Sequence, residues 1–246
     1  MNVVLVTHDS VYGSFLAASL HAAGALDRVI IETGRPGWRF YWRKFRRVGP
    51  LNAVFQFFLN RWFRREGAKH LPDLPLPPHE RVRNVNHLPF GADDLVIGFG
   101  SSYIRAETLN RVRHGFLNLH TGWLPEYRGV KSEFWVSYLG DPQRAGWTLH
   151  YMTPKLDEGD IVMQHAVPLA GENPAQLRAK LLIDAVPALS SLVTTVRNSG
   201  FDAIPRRPQR DGRYFTTPTW REWIGYRSRA RRRAAGKHPA SSGAEP

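Results

Sequence analysis

The chain has 246 residues, of which 42% are hydrophobic and 12% aromatic, a composition typical of a globular protein with a sizeable core. It contains no cysteine, which excludes disulfides, zinc–thiolate sites and thiol nucleophiles and leaves histidines and carboxylates for catalysis. The N-terminus lacks a basic segment followed by a long apolar run, and no window approaches 18 apolar residues, so we expect a cytoplasmic protein without a membrane span.

The net charge of +13 is concentrated in two segments of the chain. Residues 35–69 hold ten Lys and Arg against one acid, Glu66, and residues 227–237 hold six more basic residues with no acid. Such an excess is common in nucleic-acid-binding proteins, but the chain between the two segments is nearly balanced. The positive net charge therefore comes from two local segments and is not spread over the whole molecule.

The first 35 residues predict the start of a doubly wound sheet. An apolar run, "VVLVT", indicates a buried strand, and the helical pattern "SFLAASLHAAG" follows from near Gly13 and ends at Gly24. A second apolar run, "RVIIET", indicates the next strand. Strand, helix and strand in this order favour an α/β fold with a parallel sheet.

Residues 35–78 form a basic insert that interrupts the alternation of strands and helices. Its segment "LNAVFQFFLNRWFRR" repeats apolar residues at helical spacing, which predicts an amphipathic helix with the apolar stripe Leu51, Val54, Phe55, Phe58, Leu59, Trp62 and Phe63. The stripe either packs on the sheet or contacts a partner or an anionic membrane surface, which suits a basic helix with Trp and Phe. The first interpretation is favoured.

The sheet then resumes over the rest of a catalytic domain that we place at residues 1–200. Strands are predicted at "DLVIGFG", "GFLNLH", "GWTLHYM" and "DIVMQHAVPL", the last antiparallel to its neighbour, with helices at "RAETLNRV", "KSEFWVSYLG" and 173–200. The predicted fold class is thus a mostly parallel, Rossmann-like sheet with a basic helical insert. Residues 201–226 form a C-terminal extension, and residues 227–246 are predicted to be a disordered basic tail.

The predicted strand "FLNLH" carries the candidate catalytic pair. Side chains two residues apart in a strand face the same way, so Asn118 and His120 project together at the carboxyl end, where ligands bind in open α/β sheets. A downstream loop, "LDEGD", adds carboxylates. Without a G-x-S-x-G nucleophile motif, these groups favour direct attack by a substrate group, with proton transfer and oxyanion stabilisation by the protein, and they do not match a metal site.

Three motifs together resemble the folate-dependent formyltransferase family. These are N-x-H at 118–120, L-P-x-Y-R-G at 124–129 and L-D-x-G-D-I at 156–161, and the resemblance is densest over residues 95–169. It implies transfer of a formyl group from 10-formyltetrahydrofolate to an amine, without a metal. It does not extend to the basic insert or the tail.

The resemblance also implies roles for individual residues. The catalytic triad falls on Asn118, His120 and Asp157, with Asp160 as the other acid of the loop. The folate would lie against Ser102, Tyr103, Ile104, Leu156, Glu158 and Gly159, and the acceptor against Gly13, Ser14, Thr121 and Arg128.

Among the branches of that family, the sequence most resembles the enzymes that formylate nucleotide-linked amino sugars for surface polysaccharides. About 46 residues follow Gly200, fewer than the C-terminal barrel of methionyl-tRNA enzymes, and the first turn lacks the glycine- and asparagine-rich pattern of glycinamide ribonucleotide enzymes. Both activities stay open as alternatives, as does a non-enzymatic protein that binds nucleic acid or membrane. We further expect a homodimer or a peripheral contact of residues 51–65 with the inner membrane surface, and nucleic-acid binding is the least favoured.

Overall fold

The computed structural model describes residues 1–34 and 37–234. Within these ranges the strands are β1 (Val3–His8), β2 (Arg28–Glu32), β3 (Glu80–Val82), β4 (Leu95–Phe99), β5 (Phe116–His120), β6 (Arg128–Gly129), β7 (Gly146–Tyr151), β8 (Ile161–Ala166) and β9 (Tyr214–Phe215). The α-helices are α1 (Val11–Ala22), α2 (Trp38–Val48), α3 (Pro50–Ala68), α4 (Ala106–Leu109), α5 (Ser132–Leu139), α6 (Pro174–Ser199) and α7 (Trp220–Ala234).

The main sheet has the strand order β3-β2-β1-β4-β5-β7-β8. The first five strands are parallel, and β7 and β8 extend the sheet antiparallel to their neighbours. Strands β1 and β4 are apolar along nearly their whole length because helices and loops cover both of their faces. This arrangement confirms the predicted Rossmann-like fold class, including the antiparallel strand at 161–166.

Helix α6 is the central helix of the core. By length and mean hydropathy it is the one helix among the described residues that could cross a membrane, although we expected no such segment from the sequence. Its leucines instead pack with α1 and the sheet in the larger of the buried clusters, including Leu177, Leu181 and Leu189. Its apolar composition therefore reflects burial on several sides, as in the core helix of a packed domain.

Two parts of the chain differ from the sequence prediction. The insert contains an additional helix, α2, and only Leu59 and Phe63 of the predicted apolar stripe in α3 are buried. Residues 227–234, predicted to be disordered, continue α7. The reason is tertiary, because Trp223 and Tyr226 of α7 pack on Phe134 of α5 and offset the low helix-forming tendency of a like-charged segment. The rest of the predicted tail, 235–246, lies outside the described residues.

Candidate active site

The candidate site is a cleft of about 420 Å³ at the carboxyl ends of β4 and β5. The alternation of side chains along β5 buries Leu117 and Leu119 in the core on one face and turns Asn118 and His120 into the cleft on the other. The chain segments 99–104, 129–132 and 150–157 complete its walls.

The buried His120 ring has one nitrogen fixed and the other facing a carboxylate. Its Nε2 lies 2.8 Å from the carbonyl oxygen of Tyr127, which can only accept, so Nε2 carries a proton. Its Nδ1 lies 3.9 Å from Oδ2 of Asp157. Position 122 must be glycine, because a Cβ on Gly122 would lie 2.6 Å from Nε2 of His120. In the neutral ring Nδ1 is therefore the nitrogen that can accept a proton.

The Asn118 amide is oriented by a second histidine, His150, which lies opposite it on β7. Nδ1 of His150 is 2.8 Å from the carbonyl oxygen of Tyr151 and so carries the proton of the neutral ring. Nε2 then accepts from the Asn118 amide nitrogen at 3.1 Å. The amide keeps one N–H for the cleft.

Asp157, in the loop between β7 and β8, is the third member of this group. Its backbone is left-handed, with φ of 54°, a conformation that costs free energy for a residue other than glycine and is often found at functional sites. The Gly129 N–H donates to Oδ2 at 2.8 Å, and Nε2 of His150 lies 3.5 Å from Oδ1. Burial raises the pKa of Asp157, but His120 and His150 in their protonated forms, together with the Gly129 N–H, outweigh it and keep the pKa well below its usual range. The carboxylate is ionised at neutral pH.

A buried ion pair forms the opposite wall. Glu133 of α5 is wholly buried and accepts hydrogen bonds from the Thr121 hydroxyl and from Nε and Nη2 of Arg178, the latter at 3.0 Å. Arg178 and Lys131 also line the cleft, and the Lys131 ammonium lies 3.7 Å from the centre of the Phe63 ring. Because Glu133 neutralises Arg178, these three side chains together carry one positive charge, which suits an anionic ligand at this end of the cleft.

Comparison with known proteins finds a family match in the central part of the chain. Residues 81–191, a little under half of the chain, match the sequence profile of the formyl transferase family. This segment is similar to formyl transferases. The predicted resemblance is thereby confirmed.

Sequence relatives and solved structures with a similar fold are also found. A methionyl-tRNA formyltransferase of Listeria monocytogenes is 29% identical over 150 residues, which cover 56% of this chain and 45% of that protein. The chain thus spans about half the length of the curated relatives it matches. The fold also resembles an N-formyltransferase from Helicobacter canadensis, solved with folinic acid and dTDP-3-aminofucose (TM-score 0.57, 13% identity, 94% of this chain and 80% of the other). It resembles a 4-N formyltransferase from Francisella tularensis as well (TM-score 0.54, 18% identity, 92% and 86%).

Most of the residues predicted from the formyl transferase motifs lie together. The cleft is lined by Asn118, His120, Asp157, Thr121, Ser102, Tyr103, Ile104 and Leu156. The N–H and hydroxyl of Ser102 both donate to the buried carboxylate of Glu32, so this residue fixes the loop after β4. The Tyr103 hydroxyl donates to the Pro154 carbonyl at 3.1 Å and joins the two loops that flank the triad.

Five predicted residues lie outside the lining of the cleft. Arg128 is buried, donates to the Arg210 carbonyl at 2.8 Å and lies 3.3 Å from the Glu158 carboxylate, so these two residues hold the C-terminal extension to the loop. A Cβ on Gly159 would overlap the Tyr151 carbonyl, and one on Gly13 would overlap Thr7. Ser14 continues α1 through a bond to Ser10. Among the described residues no group of three or more His, Asp or Glu is placed to hold a metal ion.

Three residues of the site were missed by sequence reasoning. His150 stands in a predicted strand, and its role depends on Asn118, which is distant in the chain and opposite it only in the folded sheet. Glu32 and Glu133 stand in apolar segments, and a carboxylate in such a segment is rarely buried without a partner. Their partners, Ser102 and Arg178, are about 70 and 45 residues away in the chain, so the pairing is a tertiary property.

Proposed function

We propose that this protein transfers a formyl group from 10-formyltetrahydrofolate to the primary amine of a nucleotide-linked amino sugar. The observation that carries the proposal is the convergence of the Asn118 amide, the His120 imidazole and the ionised Asp157 carboxylate on one face of a single cleft. These groups come from one strand, β5, and from the loop between β7 and β8, which the fold brings together.

The cleft contains a surface that fits the pterin ring of a folate. The loops 99–104 and 153–157 face each other beside the triad, and each presents a large, half-exposed side chain, Tyr103 and Leu156. A flat heteroaromatic ring packs well between such walls, and backbone groups of the loops can pair with its edge. The fold neighbour from Helicobacter canadensis, crystallised with folinic acid, supports this assignment.

The triad can perform each protein-assisted part of the transfer. As the amine attacks the formyl carbon, the free N–H of Asn118 donates to the oxygen on which negative charge develops. Nδ1 of His120 accepts the proton released by the amine, and the Asp157 carboxylate, 3.9 Å away, stabilises the imidazolium that forms. The histidine then returns this proton to the departing folate nitrogen. The bond between the formyl carbon and the folate nitrogen breaks as the bond to the amine becomes the new amide. The proton that the amine loses is the one that the folate nitrogen gains.

The acceptor is proposed from the charge of the cleft and from the solved relatives. Arg178 and Lys131 can bind the diphosphate of a nucleotide sugar, and the Helicobacter canadensis structure holds a nucleotide-linked amino sugar. A second candidate, methionyl-tRNA, is favoured by the name of the Listeria monocytogenes relative. Dimerisation and residence in the cytoplasm stay predictions from the sequence.

The test is an acceptor screen with the full chain. The protein is incubated with 10-formyltetrahydrofolate and, in separate reactions, with nucleotide-linked amino sugars, methionyl-tRNA or no acceptor, and tetrahydrofolate and formylated product are measured. We expect tetrahydrofolate release that depends on one amino sugar, with one formyl group added to that sugar by mass spectrometry. Transfer to methionyl-tRNA alone would replace the proposed acceptor, and no transfer in any reaction would overturn the activity itself.

A further inference from the structure

Helix α2 has an aromatic face on which Trp38, Trp42 and Phe45 are exposed to solvent. Its large apolar side chains Trp38, Tyr41, Trp42 and Phe45 recur at positions i, i+3, i+4 and i+7, and so lie on one side of the helix. Their exposed fractions are 72%, 53%, 53% and 38%. Such a face is normally buried, because each large side chain gains free energy on leaving water.

Helix α3 adds a second exposed surface in the same hairpin. Leu51, Val54, Phe57 and Phe58 are each more than half exposed, while Leu59 and Phe63 face the core. Further along the helix this outer stripe changes to exposed arginines at Arg61, Arg64 and Arg65. Helix α3 therefore has an inner side that anchors it to the protein and an outer side that has large apolar residues beside cations.

The charge around these apolar residues has one sign. In α2 the arginines Arg39, Arg43, Arg46 and Arg47 are exposed. At about 3.6 residues per turn, Arg39 and Arg46 lie beside the aromatic face, and Arg43 and Arg47 lie toward the opposite side of the helix. Over residues 38–68 the chain has a single acid, Glu66, and that carboxylate is bound to Lys69 and to Asn173. An apolar face with a cationic border matches the surface of a bilayer that contains anionic lipid.

We propose that the α2–α3 hairpin binds the surface of anionic membranes, with the aromatic face of α2 inserted at the headgroup level and the flanking arginines on lipid phosphates. The hairpin lies beside the cleft, since Asn60 of α3 lines it. Binding in this way holds the cleft near the bilayer without a membrane-spanning segment. This inference is independent of the proposed formyl transfer.

Two other occupants fit the outer face less well. A second copy of the chain would bring two sets of seven exposed arginines together, which opposes self-association through this face. A nucleic acid would pair with the arginines but would leave Trp38, Leu51 and Phe58 in water, because most of its contacts are to phosphates. A bilayer surface accommodates both the cations and the apolar side chains.

The test is co-sedimentation of the full chain with vesicles of phosphatidylcholine alone or with half phosphatidylglycerol. We expect binding to the anionic vesicles, with a blue shift of tryptophan fluorescence. The variant Trp38→Ala/Trp42→Ala/Phe45→Ala should bind at least about tenfold more weakly and lose most of the shift. The variant Arg39→Glu/Arg43→Glu/Arg46→Glu should bind on the order of 100-fold more weakly. All of these side chains are exposed, so circular dichroism should stay that of the wild type.

A matched control is Arg227→Glu/Arg231→Glu/Arg232→Glu in α7, which changes the charge equally at exposed arginines outside the hairpin. Its vesicle binding should stay within about threefold of wild type if the hairpin is the binding surface. Equal loss in this control, or full binding by the aromatic variant, would overturn the proposal. So would binding to a 20-base-pair RNA duplex without vesicle binding, or self-association by light scattering that the aromatic variant abolishes.

Discussion

At the scale of single residues, the site depends on how one carboxylate is held. Asp157 adopts a left-handed backbone conformation, and its two oxygens face Gly129 and His120 on one side and His150 on the other. These partners come from three separate segments of the chain. Their combined effect keeps the buried carboxyl charged and directed at Nδ1 of His120, which is the geometry that proton transfer requires.

Replacement of this carboxylate gives the first prediction. Asp157→Asn should lower kcat by about 10²- to 10⁴-fold, because the amide cannot stabilise a charged His120. The measurement is acceptor-dependent release of tetrahydrofolate with the amino sugar found in the screen. Asp160→Asn is the control, since Asp160 is the other acid of the same loop and lies outside the cleft lining. Full activity in D157N together with loss in D160N would reverse the assignment of the two acids.

The second prediction concerns His150, which acts through its neighbours. His150→Ala removes the acceptor that orients the Asn118 amide and a contact to Asp157, and a misplaced donor costs on the order of 100-fold in kcat. The KM for the amino sugar should change by less than about threefold, because His150 orients the catalytic groups and does not bind the acceptor. A rise in KM at constant kcat would show instead that His150 binds substrate.

At the scale of elements, α5 and α6 are joined by the buried pair of Glu133 and Arg178. Burial raises the pKa of Glu133, but the guanidinium outweighs it, and the pKa lies below its usual range. The pair also fixes Arg178 at the cleft and Thr121 at the end of β5. It therefore connects the packing of two helices with one wall of the site.

Breaking this pair is the third prediction. Glu133→Gln leaves the Arg178 charge without a buried partner and should lower the free energy of unfolding by about 3–5 kcal/mol at pH 7. The folded pKa is below the unfolded value of about 4.3, so ionised Glu133 stabilises the fold above that pH and loses this effect as pH falls further. Urea unfolding from pH 7 to pH 3 should thus show wild type and E133Q converging in acid. A constant difference would contradict an electrostatic origin.

The role of helix α7 is also explained by its packing. Trp223 lies against Phe55, Trp62 and Phe134 and so joins the C-terminal helix to the insert and to α5. The fourth prediction is that Trp223→Ala lowers the free energy of unfolding by about 2 kcal/mol, less than for a fully buried Trp. The neighbouring Ile224→Ala, at a side chain that is 57% exposed, should change it by less than about 0.5 kcal/mol in the same urea titration.

At the scale of the whole molecule, the insert is divided between the core and the surface. Phe63 is 1% exposed and Phe58 is 60% exposed, although both are phenylalanines of α3 in one predicted apolar stripe. The fifth prediction uses this matched pair. Phe63→Ala should cost about 3–5 kcal/mol of unfolding free energy, and Phe58→Ala less than about 0.5 kcal/mol. Similar thermal unfolding of the two variants would mean that the outer face of α3 is also buried in solution.

The sequence predicted the sheet because its apolar runs are local. Val3–Thr7 and Leu95–Phe99 are buried on both faces, and such strands are recognisable from a few consecutive residues. The same holds for Asn118 and His120, since the two-residue period of a strand places them on one face wherever the strand lies. The placement of His150 and of Arg128 could not be read in this way, because each depends on partners far along the chain.

By itself the sequence determined the α/β class, the strand that carries Asn118 and His120, and the loop that carries Asp157. Periodicity and motif spacing are properties of residues that are close in the chain, so they can be recognised from the sequence alone. The tertiary structure alone decided which side of α3 is buried, that residues 227–234 are helical, and that His150 and Glu133 belong to the site. Burial and ion pairing are set by residues that are distant in the chain and become neighbours only when the sheet closes against α5, α6 and α7.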